Sequence, residues 1–189
     1  MSAGDSDAPL VARLIEGDKT AFDSAYDRYR ARIYSFLVRL TKDRTLSEDL
    51  LQETFVRLAR HSPKLRPDTN LAAWLYRVAR NLFISQRRWQ LVDTNRLAEA
   101  RLFAQLRPPP VTPFALHAAN ETQLRLEAAL SALPLHYREV ILLLLVEGLD
   151  HAQAAEVLGI ERATLRQRLK RGRDMLAKAL QEADEQAPA

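Results

Sequence analysis

Pro108, Pro109 and Pro110 stand in a row, and Pro113 follows soon after. Proline has no backbone N–H to donate and a locked φ, so no helix passes through this run. On both sides of it the pattern is helical. Only 5 of the 189 residues are Gly, alternating β-branched runs are absent, and apolar residues recur at helical spacing. These features predict an all-α chain of two small helical domains joined by a Pro-rich linker. Helices are expected over 8–16, 19–41, 46–61 and 70–91, then over 120–132, 134–147, 151–158 and 162–180. The first domain is read as 1–92, the linker as 93–119, the second domain as 120–183 and a tail as 184–189. The linker is expected to be extended and semi-rigid around its prolines, with a short helix over Arg96–Leu106 before them, and the chain to fray after Leu180.

Several helix ends have a mechanism in the sequence. Asp18 and Asn70 can cap the second and fourth helices through side-chain oxygens. Thr45 with Glu48, and Asp150 with Gln153, have the spacing of capping boxes. Pro134 suits a first-turn position, where a missing N–H costs nothing. Gly159 can end its helix in a left-handed conformation.

Composition narrows the function. Hydrophobic residues make up 47% of the chain, enough for helical cores, and the net charge is +4. There is no cysteine, which rules out disulfides, thiolate zinc sites and thiol redox sensing. His61, His117, His136 and His151 lack metal-ligand spacing. No P-loop or nucleophile elbow is present. The expectation is a non-enzyme with no metal and no cofactor. The segment MSAGDSDAPL lacks the charged and apolar regions of a signal peptide. The longest apolar run, Val140–Val146, is too short to cross a bilayer. A soluble, cytoplasmic protein without membrane insertion is expected.

The charge is concentrated in two places. Arg77, Arg80, Arg87 and Arg88 form one cluster free of acids; Arg162, Arg166, Arg168, Lys170, Arg171 and Arg173 form another. On a helical wheel, Leu71, Trp74, Leu75, Val78 and Leu82 share an apolar arc, which makes Trp74 a core residue. Arg77, Arg80 and Arg87 lie opposite, with Asn81 and Arg88 on the flank. Arginines so placed can meet phosphates, and Asn81 can reach a phosphate or a base edge. Tyr76, Phe83 and Trp89 are candidates to stack on unpaired bases. Trp89 is the weaker candidate, because it falls on the apolar arc. Taken alone, this cluster reads more readily as a solvated charged face.

The preceding helix shows a different surface. Leu51, Thr54, Phe55 and Leu58 form its expected buried arc. Asp49, Gln52, Glu53 and Val56 point the other way, an apolar residue among polar ones. That composition suits a protein interface, although periodicity alone favours a solvated face with one stray valine.

The strongest local signal is a helix-turn-helix. Asp150–Leu158, a turn at Gly159 and a helix from Arg162 have the required order. Leu165, Leu169, Gly172 and Leu176 make the buried arc of the second helix. Thr164, Arg166, Gln167, Lys170 and Arg171 face outward, where such a helix can enter a major groove. Arg pairs well with guanine and Gln with adenine, each good pair discriminating by about 1–3 kcal/mol. Arg173, at the edge, suits a phosphate.

Read together, these segments resemble the extracytoplasmic-function (ECF) sigma factors of the sigma-70 family. AFDSAYDRYRARIYSFLVRL and EDLLQETFVRLAR resemble the start of the family's region 2. LAAWLYRVARNLFISQRRW resembles its promoter-melting and −10 segment. LPLHYREVILLLLVEGLDHAQAAEVLGIERATLRQRLKRGRDML resembles region 4. The likeness covers most of the chain, in family order. It implies a factor that binds core RNA polymerase at its clamp and flap regions and directs promoter-specific initiation. Asp49, Gln52 and Glu53 would grip the clamp helices, and Arg80, Asn81 and their neighbours would engage the −10 element. The loop His61–Asn70 would help capture a flipped base, and Arg166, Gln167 and Arg171 would read the −35 element. The linker would run into the RNA-exit path. Binding of flipped, stacked bases would offset unpairing costs of about a few kcal/mol per base. With no sensory domain expected after region 4, control is expected from an anti-sigma factor.

The chain departs from the family pattern at Ser85, where Asp is often found. It also differs at Glu161, where Ser or Thr is common, and at His151, where Tyr is frequent. The exact −10 and −35 preferences are therefore open. The alternative reading is a helix-turn-helix regulator that acts as a dimer on a palindromic site without polymerase.

Overall fold

The structure, a computed structural model, describes residues 7–96 and 121–185, with side chains described over 7–89 and 122–182. The Pro-rich run and the helix expected over Arg96–Leu106 lie outside the described residues, apart from Arg96 itself. The chain divides into two compact units, Met1–Val111 and Thr112–Ala189. Every regular element among the described residues is helical.

Unit 1 contains α1 (Ala8–Ile15), α2 (Lys19–Thr41), α3 (Arg44–His61), a 3-10 turn (Ser62–Lys64) and α4 (Leu71–Arg96). Helices α2, α3 and α4 pack against one another, while α1 lies on α2 and on the 3-10 turn. The shared core contains Ile33, Phe36, Leu37, Leu58, Leu71 and Leu75, all fully buried. Phe36 and Tyr76 meet edge to face with ring centroids 5.1 Å apart, and Tyr26 meets Phe55 in the same manner at 4.8 Å. Such pairs contribute about 0.5–1.5 kcal/mol beyond the area they bury.

Polar contacts fix the start of this bundle. The carboxylate of Asp18 accepts the Thr20 and Ala21 amides at the head of α2, as the sequence predicts. The Thr20 hydroxyl and then Arg13 hold its pKa down at about 2. The Tyr29 hydroxyl donates to Asp7, and Arg28 pairs with the same carboxylate at 2.8 Å. Burial first, and then the bond to Asp7, push the Tyr29 phenol well above its ordinary pKa. Asp7 is the N-terminal flanking residue of α1, so these bonds tie the beginning of α1 to the middle of α2.

Helix α3 starts two residues earlier than expected. Asp43, not Thr45, is its cap: the Asp43 carboxylate accepts the Leu46 amide at 3.0 Å. Lys42 just before it takes the left-handed conformation that ends α2. The two helices are therefore separated by fewer residues than the Thr45 cap would require. Asn70 does cap α4, accepting the Ala73 amide at 2.8 Å. Helix α4 continues to Arg96, past the expected end at 91 and into the segment read as linker.

Unit 2 contains α5 (Glu121–Ala132), α6 (Leu135–Ile141), α7 (His151–Leu158) and α8 (Arg162–Glu185). The single helix expected over 134–147 instead starts after Pro134, whose ψ is extended, and changes form at Leu142. Residues Leu142–Val146 make a π turn, in which the Glu147 amide reaches the Leu142 carbonyl at 2.9 Å. The extra residue in this turn leaves Leu142 and Leu143 buried and turns Leu145 and Val146 toward solvent. Helix α8 packs against α5, α6 and α7. It runs to Glu185, beyond the fraying expected after Leu180.

Two contacts join α6 to its neighbours. A Cβ added at Gly172 of α8 would lie 3.3 Å from Ile141 Cγ1 and 3.4 Å from Tyr137 Cβ. The missing side chain thus lets α8 lie a few tenths of an ångström closer to α6 than Ala would allow. Arg138, almost wholly buried, donates to the carbonyls of Leu130, Ser131 and Leu133 at 2.6–3.0 Å. A guanidinium at the end of α5 satisfies carbonyls that the helix leaves open and opposes the negative end of its dipole.

Candidate nucleic-acid interface

The face expected for a protein partner forms on α3. Asp49, Gln52, Glu53 and Val56 stand at i, i+3, i+4 and i+7, so one side of the helix gathers them. Asp49 and Gln52 are exposed, Glu53 is half-buried and Val56 is 39% exposed. Glu53 is already paired with Arg57 at 2.9 Å, so this face is acidic with a basic edge. Thr54, Phe55 and Leu58 turn inward as expected, joined by Leu50; Leu51, placed in the buried arc by the wheel, is only half-buried.

On α4 the buried arc is rotated from its expected position. Leu75, Tyr76, Ala79, Leu82 and Phe83 are buried, whereas Trp74 and Val78 are half-buried. Tyr76 and Phe83 are therefore core residues and cannot stack on bases. Trp89, which the wheel put on the apolar arc, is 67% exposed. Trp74 is not a core residue but lies at the rim, its ring 6.4 Å from that of His61. Ala79, too small to weigh on an apolar wheel, is fully buried and lies in the middle of the packed side.

This rotation sorts the basic residues. Asn81 and Arg88 are exposed on the outer side, while Arg77 and Arg80 are half-buried beside them. Arg77 and Arg80 already interact within the chain. Arg87 is exposed too, but its guanidinium lies over the Phe83 ring at 5.8 Å, toward the packed edge. Arg77, Asn81 and Arg88 thus share the outer face, and Arg80 and Arg87, two turns apart, lie together on its flank.

The loop before α4 has its own order. The Arg66 guanidinium makes two bonds of 2.9 Å to the Asp68 carboxylate. The Arg66 amide donates to the Thr69 hydroxyl at 3.0 Å, and the Thr69 amide returns to the Arg66 carbonyl at 2.9 Å. The bond from Arg66 lowers the Asp68 pKa. Nothing in the sequence reading pointed to this ring of bonds, which depends on a turn only the backbone shows.

The helix-turn-helix forms as its sequence implies. Asp150 accepts the Ala152 and Gln153 amides at 2.7 and 2.9 Å, and Gln153 accepts the Asp150 amide at 3.0 Å, completing the capping box at α7. Gly159 takes φ +65° and the Ile160 amide reaches back to Ala155 at 3.1 Å, a closure that favours glycine. The Glu161 carbonyl then accepts the Leu165 amide at 2.9 Å, starting α8. Leu165, Leu169 and Gly172 are buried, with Leu176 half-buried. Arg166, Gln167, Lys170 and Arg171 are exposed, and Thr164 is half-buried. Asp174, also exposed, follows on the same side and limits the basic surface to the first turns.

Among the described residues no group of His, Asp and Glu could hold a metal ion, and no helix is long and apolar enough to cross a membrane. The described surfaces are an acidic and apolar face on α3, a basic face on α4 and a second basic face on α8.

Comparison with known proteins gives the same two-part division. Sigma-70 region 2 matches residues 25–90 and Sigma-70 region 4 matches residues 123–176. The ECF RNA polymerase sigma factor SigE of Mycolicibacterium smegmatis is 30% identical over 90% of this chain and 68% of its own length. SigM of Bacillus subtilis, another ECF RNA polymerase sigma factor, is 31% identical over 82% of this chain and 91% of its own. Among solved structures, the sigma factor RpoE from Bartonella quintana, in complex with the anti-sigma factor NepR, superposes with a TM-score of 0.69. That match has 25% identity and covers 85% of this chain and 96% of that one. The dimeric regulator is not favoured by any of these likenesses. With both regions present in order on an all-helical fold, the chain belongs to the ECF RNA polymerase sigma factors of the sigma-70 family, and it directs transcription initiation.

Proposed function

We propose that the three surfaces divide the work of initiation. Asp49, Gln52, Glu53 and Val56 on α3 contact the clamp of core RNA polymerase, and unit 2 meets the flap region. Arg77, Arg80, Asn81, Arg87 and Arg88 engage the −10 element from a helix packed against α2 and α3. Thr164, Arg166, Gln167, Lys170 and Arg171 read the −35 element in the major groove. In this reading residues 1–92 act as region 2, 93–119 as a linker and 120–183 as region 4, with 184–189 as a tail.

The observation that carries the reading is the pair of exposed basic faces, on α4 and on the first turns of α8. They lie on separate units that match the two sigma regions. Two such faces suit a bipartite site better than a single groove. The factor contributes no catalysis of its own and works in the cytoplasm, where promoters are. An anti-sigma factor controls it by covering one or both units, a role supported by the solved complex of its structural relative with such a partner.

The decisive experiment is co-elution of the full chain with bacterial core polymerase, followed by run-off transcription on genomic promoter fragments. Stable association and discrete new start sites are expected. Failure to bind core, together with tight binding to a palindromic duplex, would overturn the proposal. Asn81→Ala adds a finer test: it is expected to impair a duplex promoter more than one already opened. Equal loss on both templates would remove Asn81 from melting.

A further inference from the structure

Asn81, Ser85 and Trp89 stand four residues apart on α4, and Arg88 lies one turn beyond Ser85. All four are exposed, so they form one continuous strip along successive turns. The strip ends on Trp89, which leaves 67% of its surface to solvent. No Asp or Glu occurs from Leu71 to Val92, so no acid of this helix precedes the ring; Asp93, one turn after Trp89, is the first acid and bounds the strip.

We infer that Trp89 is a stacking residue for one unpaired base at the −10 element, at the end of the strip that begins with Asn81. The inference rests on the assignment of this α4 face to the −10 element. The chemistry favours a base over a protein. A protein interface is built around a cluster of buried apolar anchors. Here, among the described residues of unit 1, Val56 on α3 is the only other large exposed hydrophobic. One isolated ring suits a single planar base, whose π-face needs no apolar surround. Arg87 and Arg88 flank it in sequence, both exposed, and supply the charge that holds a strand. Ser85, a small neutral side chain one turn below, leaves room for the backbone of that strand to approach.

The test uses holoenzyme assembled from core polymerase and the full chain, comparing wild type with Trp89→Ala, Trp89→Phe and Asn81→Ala. The readouts are affinity for core, affinity for a promoter fragment with the −10 non-template strand unpaired, and affinity for a duplex fragment lacking a promoter. Trp89→Ala is expected to weaken binding to the unpaired fragment about tenfold, equal to ~1.4 kcal/mol, while Trp89→Phe retains most of it. Core affinity and non-promoter duplex binding are expected to be unchanged. Because the ring is exposed, thermal unfolding of the free chain is expected to be unchanged as well. Undiminished binding by Trp89→Ala, with Asn81→Ala impaired, would overturn the inference and spare the −10 face. Undiminished binding by both would remove the −10 face itself. Loss of core affinity in Trp89→Ala would identify the ring as a polymerase contact and overturn the inference. Equal loss on both DNA fragments would make it a non-specific contact and overturn it too.

Discussion

The Nε of Arg138 donates to the carbonyl oxygen of Leu130 at 3.0 Å, across the junction between α6 and α5. Its Nη2 serves Ser131 and Leu133 at 2.6 and 2.8 Å. The residue is 7% exposed, so these bonds form largely out of water. Arg138→Ala removes all three of these bonds, leaving the Leu130 carbonyl only the Leu133 amide at 3.3 Å, and is expected to destabilise unit 2 by about 2–4 kcal/mol. Both tryptophans lie in unit 1, so the measurement is helix loss by far-UV circular dichroism, with fluorescence reporting unit 1 separately. Unfolding of unit 1 in step with unit 2 would contradict the assignment.

Gly172 tests how closely α8 approaches α6. Ala at this position must push Ile141 aside by a few tenths of an ångström at 3.3 Å, but it gains about 1 kcal/mol of helix propensity. Gly172→Ala is therefore expected to be nearly neutral. Gly172→Val adds branches where no space exists and is expected to cost about 1–3 kcal/mol. Thermal unfolding of the pair separates the two effects; equal stability of Ala and Val would show that the contact gives way freely.

The α3 face is expected to act through charge. Asp49→Lys with Glu53→Lys should weaken core polymerase affinity at least tenfold, measured by titration with labelled factor. Stability should change by less than about 0.5 kcal/mol, because exposed pairs such as Glu53 with Arg57 contribute little. Unaltered affinity would remove the clamp contact from this face.

Arg166 and Lys170 share the outer face of α8 and should fail differently. Arg166→Ala is expected to relax preference at one position of the −35 element, a loss of about 1–3 kcal/mol of discrimination. Lys170→Ala is expected to weaken all promoters alike and to reduce the salt slope of binding by about one. The check is holoenzyme binding to base-substituted −35 fragments across a salt series. A uniform loss in Arg166→Ala would place that residue on phosphate.

The sequence alone determined whatever is settled within one or two helical turns. Asp18, Asn70 and Asp150 cap the helices expected of them, because a cap bonds amides two or three residues away. Gly159 ends α7 because its own φ decides the turn. The outward face of α8 was legible because Leu165, Leu169 and Gly172 mark the inner side unambiguously. Tertiary structure decided what depends on a neighbouring helix. Tyr76, Ala79 and Phe83 are buried on the packed side of α4, while Trp89, farther along the helix, is left exposed. The π turn put Leu145 and Val146 in solvent despite their apolar run. Arg138 is buried despite its charge, because carbonyls from α5 and the turn after it accept its N–H groups. Periodicity reports how apolar residues are spaced along a helix, but only packing decides which side of that helix another one covers.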